Sequence, residues 1–325
     1  MNRREFLAAG IAFPLVTPGR ILRFPADHGA HPDYRQEWWY VTGWLKNARG
    51  EDLGFQITFF RARPDIETAN PSSFTPRQIL LAHAALADPK VGRLKHDERA
   101  ARTALGLAGA KVGDTDVWVD DWNLKLGADG YTARILAKDF SFELQFETDK
   151  APTLQGASGF SRKGKRPEEA SYYYSRPQLN VLGSVDGKPV TGTAWLDHEW
   201  SSQYMAAEAA GWDWCGLNLD DGGALMAFRM RSRDGGVAFA PEGIGFEPLR
   251  IWQSPRTNAS YPVEMLVTAK SEKFRLVPLM DDQELDARAS TGTIYWEGAV
   301  TALRDGRPVG RGYLELTGYW KPMRL

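Results

Sequence analysis

The densest set of ionisable groups among aromatic residues lies at Trp195-Leu196-Asp197-His198-Glu199-Trp200. A histidine beside tryptophan, with a carboxyl on either side, can hold shifted pKa values once buried and can then donate a proton. Asp197, His198 and Glu199 are therefore the candidate catalytic groups. If residues 195–200 form a strand, Asp197 and Glu199 face one side while His198 and Trp200 face the other. One side then points into a barrel, the other outward or toward a second domain. The same residues also read as a hydrogen-bonded network that locks a domain junction. Both readings stand at the level of sequence.

Strands must position these groups. Alternation with period two recurs, most clearly in Phe140-Ser141-Phe142-Glu143-Leu144-Gln145-Phe146, which puts its apolar residues on one face. Asp-Gly pairs at 129–130, 186–187, 221–222, 234–235 and 305–306 fall between apolar runs, where hairpins turn. Short helices are expected only at Asp97–Leu107 and Gln203–Ala210. The polar stretch 156–169 reads as a surface loop. The pattern predicts a mainly β chain whose many strand edges close into antiparallel barrels. A break near residue 205 divides it into an export signal and linker (1–24), an N-terminal barrel (25–205) and a C-terminal barrel (206–325). Residues 17–33, rich in Pro and Gly, read as linker.

Composition narrows the function. The chain has 325 residues with 40 Lys+Arg against 41 Asp+Glu, a balance that argues against a nucleic-acid partner. Its one Cys removes internal disulfides and multi-Cys zinc sites. Nucleotide-cradling Gly loops, a Gly-x-Ser-x-Gly elbow and a His-Glu-x-x-His metal motif are all missing, so neither cofactor nor metal is expected. His83, within an apolar strand, reads as a satisfied core histidine. The 12 Trp are the unusual count, and eight of them fall in or beside motif clusters. At the N-terminus, Arg3-Arg4-Glu5-Phe6-Leu7 and the apolar stretch to Val16 resemble a twin-arginine export signal. That stretch is too short for a bilayer, which takes roughly 20 residues per helix. The expectation is a periplasmic protein without a transmembrane span, at or near the membrane.

Together, Glu37-Trp38-Trp39-Tyr40, Leu81-Ala82-His83, Tyr172-Tyr173-Tyr174, Trp195–Trp200, Gly211-Trp212-Asp213-Trp214, Tyr295-Trp296-Glu297-Gly298 and Gly312–Tyr319 resemble the family of carotenoid 1,2-hydratases and AttH-like proteins. The resemblance spans residues 31 to 321 and matches the secreted bacterial AttH-like branch more closely. It implies two lipocalin-like β-barrel domains packed together. It also implies an apolar, isoprenoid- or lipid-like ligand, with Glu37 and Tyr174 as further site candidates beside Trp39, Trp200, Trp212 and Trp214. Hydrating an isolated double bond starts by protonating it. Aromatic faces then steady the cation, each by roughly 0.5–2 kcal/mol. In the hydratases a Tyr and an Asp are expected on the strand after Trp-x-Trp, whereas here Leu225–Met230 carries no carboxylate. Two functions follow as expectations: a cofactor-independent hydratase, lyase or isomerase, and a non-catalytic lipid-binding protein that works with an ABC-type transporter. Glu297 and Glu315 read as structural, because Gly298 and Gly318 suggest tight packing.

Overall fold

The computed structural model describes residues 13–64, 75 and 77–323. The twin-arginine motif lies outside the described residues. All strand pairs are antiparallel and fall into two sheets. The first sheet runs from Lys95–Arg102 through Ile79–Ala87, Asp52–Ala62 and Gln36–Asn47 to Lys188–Gln203 and Ala170–Val185. It continues through Ser141–Glu147, Gly130–Leu136, Trp122–Gly127 and Asp116–Val119 to Ala108–Ala110, curling into a nearly closed barrel. The second sheet is a half-barrel in the order Val237–Phe239, Ala224–Ser232, Ala209–Leu219, Arg307–Leu316, Thr293–Arg304, Glu272–Pro278, Ser260–Ala269, Ile244–Gln253. This is a mainly β, two-domain lipocalin-like fold.

Each sheet sorts its side chains by alternation. On Gln36–Asn47, Trp39, Val41 and Leu45 enter the core of the first barrel, while Trp38, Tyr40 and Trp44 face the second sheet. Trp214, Phe228, Ala299 and Tyr313 meet them from the other side. The contact is close at Gly54, where an added Cβ would sit 2.6 Å from that of Ala299, so a side chain there would force the barrels apart. Polar bonds cross the same junction: Trp44 Nε1–H donates to Gly312 O at 3.0 Å, and Arg311 forks onto Asp52 at 2.8 and 2.9 Å.

Several local expectations change. The described residues contain no α-helix, only a 3-10 turn at Ala26–His28. Residues 95–102 form an edge strand, because the backbone of Ile79–Ala87 offers a pairing partner that outweighs helix-favouring Ala, Glu and Arg. Its charged side chains suit an edge. In 203–210, Ala209 and Ala210 already belong to the next strand, and Tyr204 and Ala206 are buried at the junction. Residues 17–33 are not a free linker. Leu22, Asp27, His28 and Ala30 are buried against the first barrel. The 156–169 stretch also turns inward, burying Lys163 and Glu169.

Candidate functional site

The strand Lys188–Gln203 is central, paired with Gln36–Asn47 on one side and Ala170–Val185 on the other. Its alternation separates the candidates. His198 and Trp200 point into the first barrel, and Asp197 and Glu199 point at a cavity between the two sheets.

Inside the barrel, Glu37 is the hub. Arg61 Nε–H donates to its Oε2 at 2.7 Å, and both side chains are fully buried. His31 Nδ1 and His198 Nε2 lie 2.8 and 2.9 Å from its Oε1. The proton order can be derived. Arg176, which can only donate, reaches His28 Nε2 at 3.2 Å, so the His28 proton sits on Nδ1 and goes to the Tyr174 oxygen at 3.0 Å. The Tyr174 hydroxyl then donates to His198 Nδ1 at 3.1 Å, and His198 Nε2–H donates to Glu37. Burial lowers the pKa of His28 to about 4 and that of His198 as well, so both are neutral donors. Against burial, Arg61 and the two histidines hold Glu37 well below the usual carboxylate range. His31 is raised despite burial, because Asp27 and Glu37 flank it. Trp39 and Trp200 cover the rings, with His31 stacked 3.6 Å from Trp200 and His198 4.7 Å from Trp39.

His31, Glu37 and His198 also offer three ligand atoms within 4.8 Å of one another, as a metal site would. The two imidazole–carboxylate distances of 2.8 and 2.9 Å are nevertheless those of shared protons. Around a tetrahedral ion, donor atoms stand ~3.3 Å apart. Arg61 already holds the other carboxylate oxygen.

The cavity face is different. Its volume is about 280 Å³, and Trp38, Phe60, Leu81, Tyr204, Trp212 and Trp214 supply apolar wall. Five carboxyls line it: Glu37, already held by Arg61, and four more. Burial pushes Asp197 up to about 7 against hydrogen bonds from Ser175, Tyr173 and Trp195. Glu199 is raised by burial, with Lys163 pulling the other way from 2.7 Å. Burial raises Glu315 to about 7 although Trp212 Nε1–H donates to it at 2.8 Å. Glu297 is raised well above normal by burial and by Glu315, its register partner on the next strand. Tyr40 donates to Glu297 Oε1, while Oε2 has no partner among the described residues. Lys163 sits in an aromatic cage, 4.0 Å from the Phe228 ring centre and 4.8 Å from that of Tyr173, and burial lowers its pKa. A larger groove of about 710 Å³ by Trp44, Asn218 and Arg311 is more polar and open, and the Lys46 and Arg311 charges on it are paired with Asp52.

The structure thus brings Asp197, Glu199, Trp212 and Trp214 to one cavity. It places His198, Trp39, Tyr174 and Trp200 in a network inside the first barrel, and Glu37 joins the two, since with Arg61 it belongs to that network and also lines the cavity. Sequence reasoning missed Glu297, Glu315 and Lys163. A signal for the first two was present: Tyr295-x-Glu297 and Tyr313-x-Glu315 put an aromatic and an acid on the same face of apolar strands. Lys163 gave no signal, because only folding brings its loop to Glu199. His83 is fully buried and bonded through both ring nitrogens, at the barrel junction and not in a single core.

Fold and site together define a two-barrel lipocalin-like protein with a carboxyl-rich cavity between its barrels. The chain belongs to the AttH-like family, whose model matches residues 15–319. It is 50% identical to an AttH-type protein of Nitrosomonas europaea, with a TM-score of 0.88 over 94% of this chain and 100% of that one. Kievitone hydratase of Nectria haematococca shares the fold at 13% identity and a TM-score of 0.65, over 95% of this chain and 97% of that one. No curated protein matches the chain in sequence. Among the described residues no helix is long and apolar enough to cross a membrane.

Proposed function

We propose that this protein binds an apolar, isoprenoid- or lipid-like molecule between its barrels and acts on it as a cofactor-independent, acid-catalysed hydratase, lyase or isomerase. The observation that carries this is Asp197, a carboxyl buried at the wall of an apolar cavity, where burial pushes its pKa up to about 7. A carboxyl held neutral in an apolar site is the donor that alkene protonation needs. Asp197 gives a proton to one alkene carbon, and the cation forms at the other. Trp212, Trp214 and Tyr204 line the cavity and supply the aromatic wall that steadies the cation. Water adds to it and passes a proton to Glu199, whose partner Lys163 stabilises the carboxylate form. The reverse order eliminates water. His198, with Glu37, Tyr174, Trp39 and Trp200, positions the strand from its other face. The proposal includes delivery to the periplasm, which rests on Arg3-Arg4 and the apolar stretch behind them.

Mass spectrometry of apolar molecules co-purifying with the full chain from periplasm would fix the ligand class. With that molecule as substrate, Asp197→Asn should lower turnover by about 10²–10⁴-fold. Wild-type turnover should fall as pH rises through about 7, when Asp197 loses its proton. Unchanged turnover in both Asp197→Asn and His198→Ala would overturn the site assignment. Recovery of the bound molecule chemically unaltered would favour the non-catalytic lipid carrier, for which an ABC-type transporter is the natural partner class.

A further inference from the structure

Tyr295 and His83 line the cavity from opposite barrels and end a chain of hydrogen bonds that begins near the surface. Glu98 accepts the backbone N–H groups of Ala289 and Ser290 at 3.2 and 3.0 Å and also the Ser290 hydroxyl. A serine hydroxyl has one proton. With that proton on Glu98, the Ser290 oxygen accepts from His83 Nε2 at 2.8 Å. His83 is therefore the Nε2–H tautomer, and its Nδ1 accepts the Tyr295 hydroxyl at 2.8 Å. Tyr295 has then given away its only proton and offers the cavity lone pairs alone.

Two residues along the same strand face, about 7 Å away, stands Glu297. Its Oε1 accepts from Tyr40, and its Oε2 is buried without a partner among the described residues. Burial beside Glu315 keeps this group protonated, so it is a donor lacking an acceptor. One wall of the cavity thus carries a fixed acceptor at Tyr295 and, further along the strand, a protonated acid at Glu297.

We propose that Tyr295 selects a ligand whose polar end is a hydroxyl group, its O–H donating to the Tyr295 oxygen. The inference rests on the function proposed above and narrows its ligand class to neutral apolar alcohols, the form a hydration would produce. An ether, ketone or aldehyde has no proton for Tyr295. A carboxylate anion has no proton for Tyr295 either, and it meets five carboxyls and one lining arginine, Arg61, whose charge Glu37 already answers. The surface-side residues Glu98 and Ser290 touch no ligand and act as positioning residues, because they set the direction of the Tyr295 bond.

Tryptophan-fluorescence titration of the full chain with 1-dodecanol and with dodecyl methyl ether tests this. The alcohol should bind about tenfold or more tighter, as one satisfied buried hydrogen bond predicts. Tyr295→Phe should bring the two affinities together. Nitrogen NMR of the histidine rings in the unmutated protein gives a second readout, with His83 expected as the neutral Nε2–H tautomer. Equal affinities in the unmutated protein, a preference that survives Tyr295→Phe, or an Nδ1–H tautomer would each overturn the inference and leave the cavity reading intact. Failure of both probes to bind would overturn the cavity reading itself, and the inference with it.

Discussion

The two sides of the first sheet meet acids in opposite states. On the inner face Glu37 is surrounded by Arg61, His31 and His198, and its charge is answered. On the cavity face, among the described residues, Asp197, Glu297 and Glu315 have no cation within ion-pair reach, and Glu199 has Lys163 alone. Both faces are buried, so burial alone does not set the protonation state. What differs is the supply of positive partners. An ionised, paired carboxylate fixes structure, whereas a carboxyl held neutral has a proton to give.

The largest effect that separates the faces should come from Glu37→Ala. It leaves Arg61 buried without its counter-ion and His31 with Asp27 alone, and should cost about 3–5 kcal/mol in chemical denaturation. A loss below about 1 kcal/mol would mean that the inner network does not hold the barrel together.

The next test uses pH. Groups with raised folded-state pKa values bind more protons folded than unfolded, so their contribution is complete below their unfolded values near 4 and is lost as pH rises through about 7. Asp27, lowered to about 2, behaves oppositely and loses its contribution as pH falls from about 4 toward 2. The buried histidines His28, His83 and His198, lowered by the fold, add stability as pH rises toward about 6.5 and oppose this. Denaturant midpoints should therefore decline only from about pH 6.5 to 8, and Asp197→Asn should flatten the profile between about pH 5 and 8. A profile unchanged by the substitution would remove Asp197 from the proton-holding groups.

The smallest effect belongs to Tyr174→Phe, which deletes the middle link from His28 to His198. It should cost about 1 kcal/mol in thermal or denaturant melts and leave the pH 5–8 slope as it was. A change in that slope would couple the two faces and blur the distinction between them.

Much of this was legible in the residues. Alternation alone put Asp197 and Glu199 on one side of a strand and His198 and Trp200 on the other, because a strand has period two whatever surrounds it. The turn pairs and aromatic motifs carried the two-barrel class. The tryptophans then divide by face: Trp39 and Trp200 in the first barrel, Trp38, Trp195, Trp212 and Trp214 at the junction, and Trp296 in the second core. Sequence could not say which face met a cavity. That depends on how the second sheet docks on the first, a matter of contacts between residues more than one hundred positions apart. Docking carries Glu297 and Glu315 to Asp197, joins His83 to Tyr295, and folds Lys163 inward. Local pattern fixes which way a side chain points; only tertiary packing fixes what it finds there, and that neighbour decides whether a buried acid keeps its proton.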